Sequence, residues 1–329
     1  MGREIFEGYT DDKATEDGAA NGAAVRVRER LAGANIYAKA ARSILNPASG
    51  YIQAYDFTLN PYRGCQYGCS YCYATAFSPN AKMRDDWGNW VIVKDNAATL
   101  LGKELARWYK GDRDRPPSIY MSTVTDPYQP IESRARLPRS LLEVMLDRPA
   151  CEQPTLVVQT RSPMVWRDRD LLHRFERVRV NISIPTGSDA VRRDFEPRSP
   201  SVKARINTLK KLRYTAPFDS QLKLSATVTP FLPTFGAIDG ERTDGEESDD
   251  LDRLARGLAC ADRVVFQPFH PSGGGRLSAT TREAAIALRA KYADWYAREA
   301  DYSRCLRDKL RRYAPDLEIL DGAEGFGYA

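Results

Sequence analysis

The feature that most constrains the fold is a repeat of short apolar runs, each followed by a longer amphipathic segment. The runs predict six strands, at residues 54–59, 118–122, 155–160, 178–184, 223–228 and 263–269. The segments between and after them predict helices near residues 96–110, 137–147, 168–176, 200–213, 248–259 and 279–297. Six strand-then-helix units predict a parallel sheet that curls into a partial (β/α)6 barrel of the TIM type, short of a closed eight-stranded one.

The chain outside these units predicts an N-terminal extension and a C-terminal addition. We expect residues 1–50 to form a partly flexible extension, with a helix over residues 23–45, AAVRVRERLAGANIYAKAARSIL. The barrel is expected over residues 51–300, and a helix with a short strand over residues 301–329. The fold class is therefore α/β, with an N-terminal helical extension.

Composition limits the cellular setting and the partners. The first thirty residues lack the apolar stretch of a secretory signal, no run of eighteen apolar residues exists, and Cys151, Cys260 and Cys305 are widely separated. These features predict a cytoplasmic protein with no membrane association. The 49 basic and 44 acidic residues give a net charge of +5, which permits a nucleic-acid partner without favouring one.

Three of the six cysteines lie within eight residues of the stretch PYRGCQYGCSYCY, residues 61–73. Clustered thiolates select zinc, copper or iron-sulfur centres. Zinc would need a fourth Cys or His ligand, and both His173 and His270 are far away in sequence. A [4Fe-4S] cluster held by Cys65, Cys69 and Cys72 would leave one iron open for another ligand.

The CxxxCxxC spacing with an aromatic residue, Tyr71, before the last cysteine resembles the radical S-adenosylmethionine (radical SAM) superfamily. Within it the chain is most similar to the spore photoproduct lyase-like group over residues 54–270, through NPYRGCQYGCSYCY, TVTDPYQPIE, QTRS with RDRDLL, and NISI with FEPRSP. The resemblance implies a partial barrel, a [4Fe-4S] cluster, SAM, and a reductant such as flavodoxin or ferredoxin.

The same resemblance implies roles for individual residues. Tyr71, Tyr73 and Tyr128 are candidate catalytic redox relays. The candidate SAM-binding residues are Tyr71, Tyr73, Thr125, Arg161, Asn181, Ser183, Glu196 and Arg205. Each also has a structural alternative: aromatic packing for the tyrosines, a turn at Thr125, strand packing at Ser183, a surface base at Arg161, and an ion pair between Glu196 and Arg205.

One departure from the lyase group affects the expected reaction. The lyase uses a cysteine three residues before the Asp of its second-strand motif as a hydrogen donor, and this chain has Thr123 there. A threonine O–H bond is too strong for that step, so the lyase reaction is not expected. Cys151, Cys260 or Cys305 would replace the donor only where the fold brings one of them to the barrel mouth.

Two further motifs are less specific. The stretch HPSGGG at residues 270–275 could present backbone N–H groups to a phosphate, or it could be a loop at the barrel rim. The stretch VRVRER at residues 25–30 could bind phosphates, or it could be a solvated helix with alternating charge.

Together these patterns favour a radical SAM enzyme that cleaves SAM and abstracts hydrogen from an organic substrate, with a small metabolite or nucleoside-like molecule favoured. The alternative of another class is a nucleic-acid repair or binding protein that keeps the cluster as a structural or redox element. A zinc-stabilised interaction module is a third hypothesis.

Overall fold

The structure is a computed structural model that describes residues 25–111, 114–238, 249–269 and 283–328. The strands of these residues are β1 Val25–Leu31, β2 Ala34–Ala38, β3 Leu45–Pro47, β4 Phe57–Leu59, β5 Tyr62–Arg63, β6 Trp90–Val93, β7 Ser118–Met121, β8 Thr155–Thr160, β9 Val178–Ser183, β10 Leu222–Val228, β11 Arg263–Phe266 and β12 Glu318–Asp321. The helices are α1 Ala81–Asp85, α2 Ala97–Lys110, α3 Glu132–Ala135, α4 Leu137–Leu146, α5 Arg169–Leu172, α6 Asp189–Phe195, α7 Val202–Tyr214, α8 Asp250–Leu258, α9 Glu283–Lys291, α10 Ala293–Ala297, α11 Glu299–Tyr313 and α12 Gly322–Phe326.

The main sheet has eight strands in the order β12-β11-β10-β9-β8-β7-β4-β3. Every neighbouring pair from β4 to β12 is parallel, and β3 is antiparallel to β4 at the edge. The strands follow one another in chain order with helices between them, as right-handed crossovers require. The six predicted strands are confirmed as β4, β7, β8, β9, β10 and β11, and the C-terminal strand β12 pairs with β11 in the same sheet.

The predicted helix over residues 23–45 is wrong. Residues 25–31 and 34–38 are antiparallel strands joined by a tight turn at Ala32 and Gly33, whose φ angles are 47° and 82°. Strand β2 then pairs in parallel with β6, which gives a second sheet in the order β1-β2-β6-β5. The physical reason is that VRVRER alternates with period 2, and the left-handed turn at Gly33 reverses the chain where a helix would continue.

Other expectations are refined or lie beyond the described residues. The helix expected over residues 168–176 is a 3-10 segment at Pro163–Asp168 followed by the short α5. Residues 239–248, the HPSGGG stretch with His270, and the start of the last predicted helix at residues 279–282 lie outside the described residues. The division into domains stays a prediction.

The two faces of the main sheet differ in chemistry. Apolar side chains such as Ile119, Leu156 and Val180 face the surrounding helices and belong to the largest buried cluster. The residues that alternate with them point to the inside of the barrel, and many are polar, including Asn181 and Ser225. Strands of a parallel sheet buried on both faces are usually apolar throughout, so a polar interior indicates a place built to contact a ligand.

An ion pair between Asp56 and Arg115 joins the amino ends of β4 and β7, the first two barrel strands. Asp56 accepts two hydrogen bonds of 2.7 Å from Arg115, one of 2.8 Å from Ser118 N and one of 2.9 Å from Ser118 Oγ. The hydrogen bonds from Arg115, with those from Ser118, lower the pKa of Asp56 to about 2. Because the folded-state pKa lies below the unfolded one, this stabilisation is present above about pH 4 and is lost as the pH falls towards 2.

We therefore expect Asp56→Asn to lower the free energy of unfolding at pH 6 by about 1–2 kcal/mol, since the Arg115 side of the pair is solvent-exposed. The difference between variant and wild type should shrink as the pH falls towards 2. Urea unfolding of the metal-free protein at several pH values measures this, with Asp147→Asn at an exposed position as control. A difference that stays constant from pH 6 to pH 2 would contradict the assignment.

Candidate active site

The three clustered cysteines lie on the loop that follows β4 and β5, at the carboxyl end of the first barrel strand. Cys65 and Cys69 are buried and Cys72 is half-buried. Gly64 adopts a φ of +85°, and a Cβ atom there would lie 2.6 Å from the Trp90 ring. The loop therefore needs glycine at this point both for its backbone angle and for its close approach to β6.

Two buried glutamines attach the cysteine loop to the segment after β7. The backbone N–H of Gln66 donates to Gln129 Oε1 at 2.8 Å, and the N–H of Ile131 donates to Gln66 Oε1 at 2.7 Å. Gln129 Nε2 also donates to Thr125 Oγ1 at 2.9 Å. Sequence analysis missed both glutamines, because a single glutamine in a loop carries no signal until its partner is known.

The electrostatic surroundings of the thiols favour binding to a cation. The pKa of Cys65 lies well above its usual value and that of Cys69 is raised to about 12; burial is the main cause, and the charges of Asp126 at Cys65, of Glu196 at Cys69 and of the neighbouring cysteines contribute. The charge of Arg161 opposes this at Cys69, because its Nη1 donates to Cys69 Sγ at 2.9 Å. Without another positive charge the thiols stay protonated, and metal binding would convert them to thiolates.

The donor set fits an iron-sulfur cluster. Three soft sulfur ligands converge on one loop, and a guanidinium stands beside one of them. Within the described parts of the chain, no group of three or more His, Cys, Asp or Glu side chains is spaced to hold a metal ion by itself. In a four-iron cluster each thiolate binds a different iron, so Cys65, Cys69 and Cys72 would hold it without converging on one point.

The buried carboxylate of Glu196 links the cysteine loop, through Arg205, to β9, the fourth strand of the barrel. Glu196, which has no exposed surface, accepts hydrogen bonds from Arg161 Nη1 and the Tyr71 hydroxyl, and from Arg205 Nη2 at 2.5 Å. Burial alone would raise the pKa of Glu196, but Arg161 and Arg205 outweigh it and the pKa lies below the usual value. Arg205 in turn donates to the carbonyl of Ser183 at 3.1 Å.

The structure thus brings four of the predicted site residues together around one carboxylate. Arg161, Arg205 and Tyr71 all contact Glu196, and Arg161 also contacts a cluster cysteine. The ion-pair alternative weighed for Glu196 and Arg205 is present in this geometry, with Arg161 as an additional partner. Of this group, Arg161 keeps some exposed surface, so its remaining N–H groups can meet a ligand at the mouth.

The loop after β7 is held in a strained, well-bonded conformation. Ser122 has a φ of 73°, which is uncommon for a residue other than glycine. Asn60 Oδ1 accepts from the N–H groups of Thr123 at 3.0 Å and Val124 at 3.1 Å. Thr125 donates its hydroxyl hydrogen to the carbonyl of Gly64 at 2.6 Å, so in this geometry its hydroxyl supports the cysteine loop.

Asp126 is a third residue, after Gln66 and Gln129, that sequence analysis did not assign. Its carboxylate is buried and accepts from Thr160 Oγ1 at 2.7 Å and from the N–H of Arg161 at 2.9 Å. Burial raises the pKa of Asp126 despite these hydrogen bonds. Asp126 thereby joins the carboxyl ends of β7 and β8. The sequence signal that could have identified it is the TDP stretch, residues 125–127, which directly follows a predicted strand.

The three candidate relay tyrosines occupy different places. Tyr71 is buried against Glu196, whereas Tyr73 is 41% exposed and donates its hydroxyl to the carbonyl of Thr123. Tyr128 belongs to the main core, with its ring centroid 6.0 Å from the Arg167 guanidinium carbon. The structure therefore brings Tyr71 and Tyr73 to the cysteine loop and directs the Tyr128 side chain elsewhere.

Asn181 and Ser183 lie on the interior face of β9, both buried. Asn181 Nδ2 donates to the Tyr120 hydroxyl at 3.2 Å. The other cysteines are remote from this mouth: Cys151 and Cys260 precede the starts of β8 and β11, and Cys305 lies in α11. None of these three cysteines lies at the carboxyl ends of the strands, where it could take the place of the hydrogen-donor cysteine for which this chain has Thr123.

The comparisons with known proteins agree with this site. The profile of the Radical SAM superfamily matches residues 59–215. An uncharacterised protein of Methanocaldococcus jannaschii is 35% identical over 206 residues, which are 63% of this chain and 70% of that protein. An uncharacterised protein of Mycobacterium tuberculosis is 28% identical over 281 residues, which are 79% of this chain and 73% of that protein.

The fold is that of spore photoproduct lyase. Its structure complexed with dinucleoside spore photoproduct superposes with a TM-score of 0.56 at 17% identity, over 89% of this chain and 84% of the lyase. A double mutant of the lyase with bound AdoMet and the same dinucleoside gives the same values.

The chain belongs to the radical SAM superfamily. It is a radical SAM enzyme, and enzymes of this superfamily use a [4Fe-4S] cluster and SAM and need a reductant and a substrate. The partial TIM-type barrel predicted from the strand count is thereby confirmed. Among the described helices, none combines the length and apolar character needed to cross a lipid bilayer.

Proposed function

We propose that this enzyme cleaves SAM reductively at a [4Fe-4S] cluster held by Cys65, Cys69 and Cys72, and uses the resulting 5′-deoxyadenosyl radical to abstract hydrogen from an organic substrate. The three cysteines would hold the cluster, which would supply the electron for the cleavage and an iron open to SAM. The observation that carries the proposal is the buried three-thiol loop at the carboxyl end of the first barrel strand, with Arg161 hydrogen bonded to Cys69.

The chain's own residues would then orient and enclose the cofactor. Arg161 offers donors for a carboxylate at the mouth, while Glu196 and Arg205 fix its position from beneath. Tyr73 and Ser183 line the same region, and their contacts with SAM are part of the proposal. Thr125, whose hydroxyl is bonded to Gly64, would act by holding the cysteine loop.

A small or nucleoside-like substrate is the favoured class. The fold match includes a lyase complexed with a dinucleoside, and the net charge of +5 is milder than we expect for a protein that binds duplex nucleic acid. The electron would come from a flavodoxin or ferredoxin. The wide separation of the other three cysteines supports a reducing compartment, the cytoplasm.

The direct test is anaerobic reconstitution followed by a SAM cleavage assay. The protein should bind about four irons per chain, and a chemical reductant should convert SAM to 5′-deoxyadenosine. DNA binding that depends strongly on salt, together with four irons but no SAM cleavage, would favour the alternative of a repair or binding protein with a structural cluster. One zinc and no iron would favour the interaction module.

Thymine-dimer spore photoproduct should not be repaired by this enzyme. At the position where the lyase group carries its hydrogen-donor cysteine this chain has Thr123, whose hydroxyl oxygen is 3.3 Å from Asn60 Nδ2, and the other three cysteines lie away from the mouth. The assay incubates the reduced enzyme, SAM and the dinucleoside photoproduct and measures thymidine release. Efficient thymidine release by the wild type would overturn this prediction. In the variant Thr123→Cys, which restores the donor cysteine, we expect a low level of thymidine release.

A further inference from the structure

A row of uncharged polar side chains runs diagonally across the inside of the barrel, from β7 up to the mouth at β10. Gln159 on β8 pairs with Asn181 on β9, and Asn181 pairs with Ser225 on β10. The next inward-facing residues towards the carboxyl ends are Arg161 and Ser183, which belong to the mouth. Thr227 on β10 is in register with Ser183, and Tyr120 on β7 is in register with Val157, one step below Gln159. We name the diagonal set the interior row and define it as Tyr120, Gln159, Asn181, Ser225 and Thr227.

Hydrogen bonds within the interior row run in a single direction. Asn181 Nδ2 donates to the Tyr120 hydroxyl at 3.2 Å, and this hydroxyl donates to Gln159 Oε1 at 2.9 Å. Gln159 Nε2 then donates to Thr227 Oγ1 at 3.0 Å. Because one tyrosine hydroxyl both accepts and donates, the amides of Asn181 and Gln159 are held in fixed orientations.

Two polar atoms of the interior row have no partner. Asn181 Oδ1 and Ser225 Oγ are buried and, within the described residues, make no hydrogen bond. Asn181 is 2% exposed and Ser225 has no exposed surface. Buried polar groups in native proteins are nearly always satisfied, so two unsatisfied atoms on neighbouring strands indicate a missing ligand. Gln159 is half-buried, which connects the row with the open mouth.

The charged groups beside the interior row have partners elsewhere. Arg263 is in register with Ser225, and Arg179 lies two residues before Asn181 on β9, but the Nη1 atoms of Arg179 and Arg263 donate to the carbonyl of Gly327 at 3.1 Å and 2.6 Å. Arg263 also pairs with Glu318. Above the row, Arg161 is paired with Glu196. A ligand that reaches the row therefore meets hydroxyl and amide groups, which favour an uncharged molecule.

From this geometry we infer that the interior row binds the substrate, and that the bound part is an uncharged edge carrying an N–H and a C=O side by side, as in a lactam, an imide or a primary amide. Asn181 Oδ1 accepts from the N–H, and the Ser225 hydroxyl donates to the C=O. The inference rests on the proposed function, and it moves Asn181 from the SAM-binding residues to the substrate-binding ones. The nucleobases of nucleoside-like substrates carry such edges.

Ligand binding is tested on the reconstituted full-length protein with SAM bound. The probes are thymidine, uridine, inosine and nicotinamide, with 1,3-dimethyluracil as a matched molecule without N–H and orotate as a charged one. We expect at least one neutral probe to bind in titration calorimetry, while the dimethylated and charged molecules do not. Asn181→Ala and Ser225→Ala should each raise the Kd of the bound probe about fivefold or more, and the Kd of SAM should change less than twofold.

A second measurement needs no ligand. Because its hydroxyl is unsatisfied, Ser225→Ala should raise the Tm of the metal-free protein by about 1–2 °C. Ser199→Ala is the matched control, since Ser199 Oγ is also buried without a partner in the described residues but lies outside the barrel. The control should raise the Tm similarly and leave probe binding unchanged. A serine with a purely structural role would instead lower the Tm when it is replaced.

The outcomes separate this inference from the proposed function. If SAM is cleaved but none of the four neutral probes binds, the inference is wrong and the proposed function stands. If Asn181→Ala weakens SAM binding while probe binding is unchanged, Asn181 belongs to the cofactor site and the inference is also overturned. If the wild type cleaves no SAM, the proposed function fails, while probe binding and its loss in Ser225→Ala still decide what the row binds.

Discussion

Replacement of Cys69 by alanine is expected to reduce SAM cleavage to the background of the assay. Cys69 lies between the other two ligands on the loop, and its sulfur accepts the hydrogen bond from Arg161 at 2.9 Å. A cluster left with two thiolates loses a third of its protein ligands, so iron should fall well below about four per chain. Iron and sulfide analysis together with the 5′-deoxyadenosine assay measures both effects.

The matched control for this experiment is Cys151→Ala. Cys151 is exposed and lies before β8, at the end of the sheet opposite the loop. Iron content and SAM cleavage should equal those of the wild type. Full SAM cleavage by Cys69→Ala would remove the basis of the proposed function, because the three-thiol loop would then have no role in it.

The second large effect is expected at Glu196. Glu196→Gln keeps the shape but removes the charge between Arg205, which has no exposed surface, and Arg161. Loss of one partner from a buried ion pair leaves an uncompensated charge, so the free energy of unfolding should fall by about 3–5 kcal/mol. Urea unfolding of the metal-free protein measures it, since no cluster is then involved.

A double variant distinguishes charge imbalance from lost packing. Glu196→Leu with Arg205→Met removes the buried pair as a whole, and replacements of that kind are often nearly neutral. It should recover more than half of the stability lost in Glu196→Gln, although Arg161 keeps its charge and some exposed surface. A loss below about 1 kcal/mol in Glu196→Gln would show that Arg161 and Arg205 do not depend on this carboxylate.

Glu196 also couples stability to the site. Its carboxylate contacts Arg161, which reaches Cys69, and Tyr71, which precedes the last cluster cysteine. A backbone hydrogen bond also connects the two segments: the N–H of Ser70 in the cysteine loop donates to the carbonyl of Phe195, next to Glu196, at 2.9 Å. The end of α6 and the cysteine loop are thus one bonded unit, so changes at Glu196 should also weaken cluster retention.

Most of the barrel could be predicted from the sequence because its signals are local. The short apolar run of β8, the alternation of apolar residues along β9, and the helical periodicity of segments such as α2 depend only on which residues a sheet or helix buries. The N-terminal hairpin was missed because it depends on a distant strand: β1 pairs with β2, and β2 pairs with β6, which is about fifty residues away.

What the sequence by itself determined is the partial barrel, since six strand-then-helix units are a property of the chain alone, and the spacing of Cys65, Cys69 and Cys72 predicts the cluster ligands. Only the tertiary structure decided which polar groups meet. It placed Glu196 against Arg161, turned Tyr128 into the core, and left Asn181 Oδ1 and Ser225 Oγ, on neighbouring strands, without hydrogen-bond partners among the described residues. The physical reason is that a hydrogen bond or ion pair is defined by distance, and parallel strands bring together residues that the sequence separates by dozens of positions.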